Sequence, residues 1–118
     1  MTTREIAERL VELIRRQQFV QAVEELYAPD VSSRENCEPP VQGFDAVLAN
    51  NRRWIETMEV ARFDVPNYYV DGDTIVVEMD SDFTHAETGE EFHSEQVGVY
   101  TIRDGKVVSS RFYYGYGD

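Results

Sequence analysis

The chain has few of the features that mark a secreted or membrane protein. Cys37 is the only cysteine in 118 residues, so no disulfide can form within the chain, which suits a reducing compartment. No apolar run approaches the roughly 18 residues of a membrane-spanning helix, and the N-terminal MTTREIAERL lacks the apolar core of a signal peptide. We therefore expect a cytoplasmic protein, in which a lone thiol is more often inert packing than a nucleophile.

Basic residues are scarce as well. The 11 lysines and arginines face 23 acidic residues, which gives a formal net charge of −12. A surface of that charge repels phosphate backbones and anionic lipids, so we expect neither a nucleic-acid nor a membrane partner. No glycine-rich phosphate loop precedes a helix, and we expect no cofactor.

What the chain does contain is typical of one globular domain over residues 1–118. Hydrophobic residues make up 42% of it and aromatic residues 12%. A chain of this length can bury about 65% of its unfolded surface and fold without disulfides or metals. No internal repeat, low-complexity tract or linker interrupts it.

Three helices are predicted in the first half of the chain. Thr2 and Glu5 have capping-box spacing ahead of a first amphipathic helix, and a second helix runs from Phe19 to Tyr27, before Pro29. A third begins at Gly43, and the polar Asn51 falls on its apolar stripe. An amide there is either hydrogen-bonded within the protein or faces a cavity.

Strands dominate the second half. We predict a short strand over 31–36 and one continuous strand RFDVPNYYV, with Pro66 at a bulge or an edge. The segments TIVVEMDSDFTH, EFHSEQVGVYTI and KVVSSRFYY follow as hairpin-linked strands, and the terminal YYGYGD is expected to fray in part. The alternation of the first of these places five residues on one inner face: Ile75, Val77, Met79, Ser81 and Phe83.

A turn centred on Thr88 and Gly89 sets the predicted register. It pairs Phe83 with Ser94, Ser81 with Gln96, Met79 with Gly98, Val77 with Tyr100 and, on the outer face, Asp82 with Glu95. For the last strand, we choose the parity that turns Val108, Phe112 and Tyr114 inward, because it buries more apolar area.

The two histidines flank the turn between these strands, with acidic residues between them, which is a pattern that invites a metal site. In the predicted register His85 points inward and His93 points outward. The two therefore cannot share an ion, and we expect no metal.

Three segments carry a resemblance to a known family: LYAPDV (26–31), PPVQG (39–43) and GVYTIRDGKVVSSRFYY (98–114). Together they resemble the nuclear-transport-factor-2-like superfamily, and most closely its SnoaL-like group, which includes polyketide cyclases. The resemblance implies an α+β cone, or cystatin-like α+β roll, in which a curled antiparallel or mixed sheet wraps around three N-terminal helices. It also implies a pocket at the wide end and a homodimer through the outer face of the sheet.

Ketosteroid isomerase belongs to the same superfamily, and its segment is similar to YAPDVSSRENCEPPVQG. This similarity places the isomerase's general-base aspartate at Glu35. Its tyrosine donor falls at Leu10, its donor aspartate at Gly98 and a further pocket tyrosine at Asn51, so the oxyanion partners are missing. The resemblance therefore implies a base without steroid isomerase activity.

Glu35 is the candidate catalytic residue, ahead of Glu38 and Asp30. A carboxylate in an apolar pocket has a raised pKa and can act as a general base. The alternative is a glutamate at a strand end in water, which has no catalytic role. Nine further residues are expected to bind a flat, apolar small molecule: Tyr27, Asn51, Trp54, Phe83, Ser94, Gln96, Tyr100, Phe112 and Tyr114.

Two kinds of function remain open from the sequence. One is a cofactor-independent isomerase or cyclase that transfers protons on a small hydrophobic substrate, with Asn51 or Gln96 as a polar stabiliser. The other is a protein that binds such a molecule without chemistry or serves as a dimeric scaffold, because a fold does not fix a function.

Overall fold

The computed structural model describes residues 1–116, in which three helices pack on the inner face of a curved sheet. The helices are α1 (Thr3–Arg15), α2 (Phe19–Leu26) and α3 (Phe44–Thr57). The strands are β1 (Tyr27–Glu35), β2 (Val41–Gln42), β3 (Met58–Asp64), β4 (Tyr68–Asp71), β5 (Thr74–His85), β6 (Glu91–Arg103) and β7 (Lys106–Tyr116). No helix in this part of the chain has the length and apolar character needed to cross a bilayer.

The seven strands form one open sheet of mixed direction. Their order is β2-β1-β7-β6-β5-β3, and β4 pairs with the part of β5 that β3 leaves free. Only the β1–β7 pairing is parallel, and the neighbouring pairs are antiparallel. The expected α+β cone with three helices inside a large mixed sheet is thereby confirmed.

The N-terminal predictions hold with one adjustment. The Thr2 hydroxyl accepts the Glu5 N–H and the Glu5 carboxylate accepts the Thr2 N–H, so the capping box is confirmed. The second helix ends at Leu26 because Tyr27 already has extended dihedral angles (φ −90°, ψ 143°). Tyr27 therefore begins a strand that starts four residues before the predicted 31–36.

The prediction of one continuous strand around Pro66 is wrong. Pairing with β5 stops at Asp64 and resumes at Tyr68, so β3 and β4 are separate strands along the same edge. Proline has no N–H to donate to the ladder, and the neighbouring Val65 instead turns into the core, where it is 5% exposed. The pairing with β5 is thus interrupted where Val65 packs into the core.

The predicted β5–β6 register is wrong by two residues. Phe83 pairs with Phe92 rather than Ser94, and Ser81 with Ser94 rather than Gln96. The reason is the connection, in which His85 donates its N–H to the Glu90 carbonyl and accepts the Gly89 N–H, so the turn is centred earlier than predicted. A slip of two preserves the face of every side chain, and the predicted inner face of β5 is therefore correct.

The shifted register changes the outer face. Asp82 lies opposite His93 instead of Glu95, and the His93 Nδ1 and Asp82 Oδ1 atoms are 2.7 Å apart. Arg62 donates to Asp80 at 2.7 Å and to Asp82 at 2.8 Å. The predicted like-charge pair is therefore replaced by an ion-pair cluster, and its Asp82 hydrogen bond raises the pKa of His93.

The last hairpin combines a correct and an incorrect prediction. Phe112 and Tyr114 face the interior, but it is Val107, at 0% exposure, that fills the core instead of Val108. A bulge opposite Thr101 and Ile102 inserts one residue in β7 and reverses the parity on the turn side. β7 also continues through Tyr116, so residues 113–116 belong to a strand, and the rest of YYGYGD lies outside the described residues. The partial fraying of this segment stays a prediction.

Gly98 lies on the inner face of the sheet, where its neighbours leave no room for a side chain. A Cβ atom built there would lie 3.0 Å from Met79 Cε, 3.0 Å from Tyr100 Cε1 and 3.1 Å from Phe112 Cε1. The Met79 methyl group could move, but two aromatic rings in a packed sheet have little freedom to do so. The absence of a side chain at Gly98 is therefore what allows the three neighbours to meet.

Replacement of Gly98 by alanine is expected to lower the free energy of unfolding by about 1–3 kcal/mol, because the added methyl overpacks this contact. Urea unfolding of the variant measures the change. Gly115→Ala is the matched control, since a Cβ at Gly115 meets nothing within 4 Å. Equal changes in both variants would contradict the packing argument.

Candidate functional site

A cavity of about 780 Å³ lies between the three helices and the inner face of the sheet. Its volume falls in the range of sites for small organic ligands. All ten residues that the sequence singled out line it: Tyr27, Glu35, Asn51, Trp54, Phe83, Ser94, Gln96, Tyr100, Phe112 and Tyr114. The fold thus brings them to one place, while the roles assigned to them stay predictions.

One wall of the cavity is aromatic. Trp54 on α3 meets Phe19 edge to face at 5.9 Å and Phe83 at 5.4 Å between ring centroids. Phe19 in turn lies 4.8 Å from Phe63, and Phe92 stacks on Phe83 at 5.3 Å. Such a wall offers flat apolar surface to a ligand. Neither Phe19 nor Phe63 was predicted, because the sequence did not reveal which helix and strand would meet.

Glu35 lies at the mouth of the cavity. It is the last residue of β1 and pairs with Phe112 of β7. The residue as a whole is exposed, yet enough protein surrounds its carboxyl group to raise the pKa by burial, and the Glu38 charge adds to the rise. Among residues 1–116, its carboxylate has no hydrogen-bond or ion-pair partner: Arg34 donates to the Glu38 carbonyl, and Arg52 lies near Glu24.

Asn36 holds the end of β1 in place, and sequence reasoning missed it. Its N–H donates to the Phe112 carbonyl at 2.8 Å, its carbonyl accepts Arg111 Nη2 at 3.3 Å, and its side-chain oxygen accepts the Tyr114 N–H at 3.0 Å. Its φ of 48° is left-handed, a conformation that asparagine tolerates better than most residues. These bonds hold Glu35 next to the cavity. The only signal for them in the sequence was the tendency of asparagine to form turns.

Several polar side chains on the cavity wall make no hydrogen bond within the described residues. Asn51 is one of them, which decides between the two alternatives left open for it: it faces the cavity. Ser94 and Gln96 on β6 likewise line the cavity and make no side-chain hydrogen bond within the described residues. Their donors and acceptors are available to a ligand. Asn50 and Arg53 of α3 also line the cavity and were not predicted.

Two buried tyrosines, Tyr27 of β1 and Tyr100 of β6, also line the cavity. Ser110 donates to Ser33 at 3.0 Å, and its hydroxyl partly offsets the effect of burial on the pKa of Tyr27. Burial raises the pKa of Tyr27 to about 12 and that of Tyr100 well above its usual value. Both phenols are therefore neutral over the physiological pH range.

The positions that the resemblance assigns to oxyanion donors are apolar. Leu10 contributes a hydrocarbon side chain to the cavity, and the contacts around Gly98 leave no space for a carboxylic acid. Any donor to a ligand oxygen must therefore come from a different residue.

Glu38 also lines the cavity, whereas the cysteine and the two histidines singled out in the sequence lie outside it. Cys37 is exposed in the connection after β1. On the outer face, three potential metal ligands lie within 4.8 Å of one another: His93, Asp80 and Glu95. The Asp80 carboxylate already forms an ion pair with Arg62. His85 accepts two backbone N–H groups of its own turn at 3.3 Å.

Substitution Glu38→Gln should lower the pKa of Glu35 while leaving it above the ordinary value, since burial is the larger of its two causes. Carbon-13 NMR titration of the carboxyl groups measures both. Glu87→Gln, in the exposed turn after β5, is the control for loss of one negative charge elsewhere. An ordinary pKa for Glu35 in the unmodified protein would contradict the site geometry.

Comparison with known proteins supports the architecture. The SnoaL-like domain model matches residues 7–110. A provisionally named SnoaL-like polyketide cyclase from Mesorhizobium loti is 34% identical, with a TM-score of 0.90 over 97% of this chain and 100% of that one. A provisionally named isomerase from Bacillus subtilis (20% identity, TM-score 0.79, 98% and 90% covered) and an LEH-like epoxide hydrolase from M. tuberculosis (14%, 0.74, 94% and 80%) share the fold.

No match to a curated protein sequence was found. The SnoaL-like domain model nevertheless matches most of the chain, and the Mesorhizobium loti protein has the same fold over 97% of it. The chain belongs to the SnoaL-like domain family.

Proposed function

We propose that the protein binds a small, flat, hydrophobic molecule in this cavity and that Glu35 transfers a proton on it, in a cofactor-independent isomerisation or cyclisation. One observation carries the proposal: a carboxylate that has no partner within residues 1–116, and whose pKa is raised, lies at the mouth of an apolar, aromatic-walled cavity. Perturbed carboxyl groups in clefts are typical of functional sites.

The chemistry follows from the position of Glu35. Its carboxylate takes a proton from a carbon next to a carbonyl, the electrons of that C–H bond enter the enolate, and the protonated Glu35 returns the proton to another carbon. A raised pKa makes the carboxylate a stronger base than a glutamate in water. The enolate of such a step can equally attack an internal carbonyl, which would be a cyclisation.

The similar proteins favour this class of reaction without fixing it. Their names include a cyclase, an isomerase and an epoxide hydrolase. For this chain these activities are hypotheses, because one cone supports different chemistries.

The alternative is that the cavity binds a ligand without reacting with it. The observation that favours it is the apolar character of Leu10 and Gly98, where the resemblance would put the oxyanion donors. In that case Glu35 would only orient a ligand at the mouth. The two functions differ in whether bound ligand exchanges protons.

The homodimer and its location on the outer face are proposals too. Val76, Val97 and Val99 are half-buried there, and Tyr113 is 45% exposed. An apolar surface of this kind suits a second copy of the chain. We expect sedimentation velocity at micromolar concentration to give the mass of two chains, and a clean monomer would contradict the proposal.

Proton transfer is tested by exchange of α-hydrogen for deuterium in aryl ketones, followed by NMR. We expect the protein to accelerate exchange and Glu35→Gln to reduce the rate by about 10²–10⁴-fold, the usual contribution of a general base. The rate should rise with pH through the raised pKa of Glu35, because only the ionised form accepts a proton.

Two controls separate loss of the base from loss of the fold. Glu35→Gln should unfold at an equal or higher temperature than the unmodified protein at neutral pH, since it removes a partly desolvated charge. Glu38→Gln should move the pH midpoint of exchange downwards. Exchange that is unchanged in Glu35→Gln would exclude Glu35 as the base and favour the binding function.

A further inference from the structure

Arg53 is the one basic residue among the described residues that line the cavity. It lies in α3 between Arg52, which is near Glu24, and Trp54, which belongs to the aromatic wall. Its backbone carbonyl accepts the Thr57 hydroxyl at 2.9 Å, but within residues 1–116 its guanidinium makes no hydrogen bond and no ion pair. The cavity thus has a cation at its edge whose donors are available to a ligand.

Acidic partners for Arg53 are plentiful in this chain. Its 11 basic residues face 23 acidic ones, and Arg62 alone binds three aspartates at once. Glu35 and Glu38 line the same cavity as Arg53, yet among the described residues neither forms an ion pair with it. A scarcity of carboxylates is therefore not the reason why this guanidinium is unpaired.

Arg53 and Asn50 form one polar edge of the cavity. Both are exposed residues that line it, and they lie three positions apart on α3. Residues with this spacing are neighbours on the surface of a helix, and a long side chain on a helix leans towards the preceding turn. The Asn50 amide makes no hydrogen bond within residues 1–116 either. The two side chains therefore offer several N–H donors to one acceptor group.

The wall next to this polar edge is apolar. Trp54 follows Arg53 in α3 and packs edge to face on Phe83 of β5, with 5.4 Å between the ring centroids. A ligand that suits both surfaces has a flat apolar body and an acceptor group at one end. A carboxylate is such a group, because its two oxygens match the planar fork of a guanidinium and carry the opposite charge.

We propose that the ligand of this cavity is a flat hydrophobic carboxylic acid and that Arg53 binds its carboxylate, with Asn50 as a second donor. The inference rests on the proposed function in that both concern one ligand in one cavity. It adds a substrate class and an orientation, in which the rings lie against the aromatic wall and the carboxylate lies at α3. Glu35 and Glu38 repel an anion, so the reverse orientation is disfavoured.

The net charge of the chain makes the proposal demanding. A charge of −12 opposes the entry of any anion, so a preference for one must come from a local contact. At physiological salt, exposed charges more than about 8 Å apart are largely screened from one another. The loss of one positive charge from either of two adjacent positions changes this long-range field to a similar extent. An arginine beside Arg53 that does not line the cavity is therefore the matched control.

The test uses Arg53→Gln and Arg52→Gln, which remove equal charges from adjacent positions of α3. The probes are 2-naphthoate and 2-naphthamide, which have the same rings and differ in the charge of the terminal group. Isothermal titration calorimetry at neutral pH measures both affinities. We expect the unmodified protein and Arg52→Gln to bind the acid about tenfold or more tightly than the amide. Arg53→Gln should bind the two probes within about twofold of each other.

Further readouts distinguish a direct contact from a structural effect. Both arginines are exposed, so neither substitution should impair folding. Arg53→Lys keeps the charge but loses the planar fork, and it should recover only part of the preference for the acid. In the unmodified protein, 2-naphthoate should shift the Nε–Hε NMR signal of Arg53 and leave that of Arg52 in place.

Three results would overturn the inference: no binding of 2-naphthoate by the unmodified protein, a preference for the acid that survives in Arg53→Gln, or an equal loss of that preference in Arg52→Gln. The proposed proton transfer fails separately. An Arg53-dependent preference for the acid without α-hydrogen exchange in aryl ketones would refute proton transfer and leave the inference standing. Glu35-dependent exchange with a preference indifferent to Arg53→Gln would do the reverse.

Discussion

The parallel pairing of β1 with β7 is the contact on which the site depends. It joins the strand after the second helix to the last strand of the chain, and it sets Ser33 beside Ser110 and Glu35 beside Phe112. Asn36 extends it with hydrogen bonds to Arg111, Phe112 and Tyr114 of β7. Because its residues are far apart in sequence, this pairing is of a kind that forms slowly during folding. Without it, neither Glu35 nor Tyr27 would face the cavity.

The molecule separates its charges from its cavity. The acidic excess is largely exposed, and on the outer face Arg62 binds Asp64, Asp80 and Asp82 at once. The interior keeps aromatic rings and a few neutral polar groups, so that a carboxylate at the rim is poorly solvated and its pKa rises. Exposed ion pairs of this kind add little stability, but they keep like charges on adjacent strands from repelling one another.

Sequence periodicity was enough to predict the helices and the inner faces of the strands. The stripe of α3 and the alternation of β5 follow from the apolar pattern alone, and the capping box of α1 from two residues. The errors arose where a single residue changes pairing: the break at Pro66, the turn after His85 and the bulge beside Val108. A register slip of two leaves the hydrophobic pattern intact, so the pattern could not reveal it.

The sequence by itself determined the family, the α+β cone and the set of residues that share the inner face, because local spacing and apolar periodicity encode them. Only the tertiary structure decided that Asn51 faces the cavity and that the bonds of Asn36 to β7 hold Glu35 beside it. Hydrogen bonding between residues about 80 positions apart, as between Ser33 and Ser110, is a property of packing and leaves no local pattern in the chain.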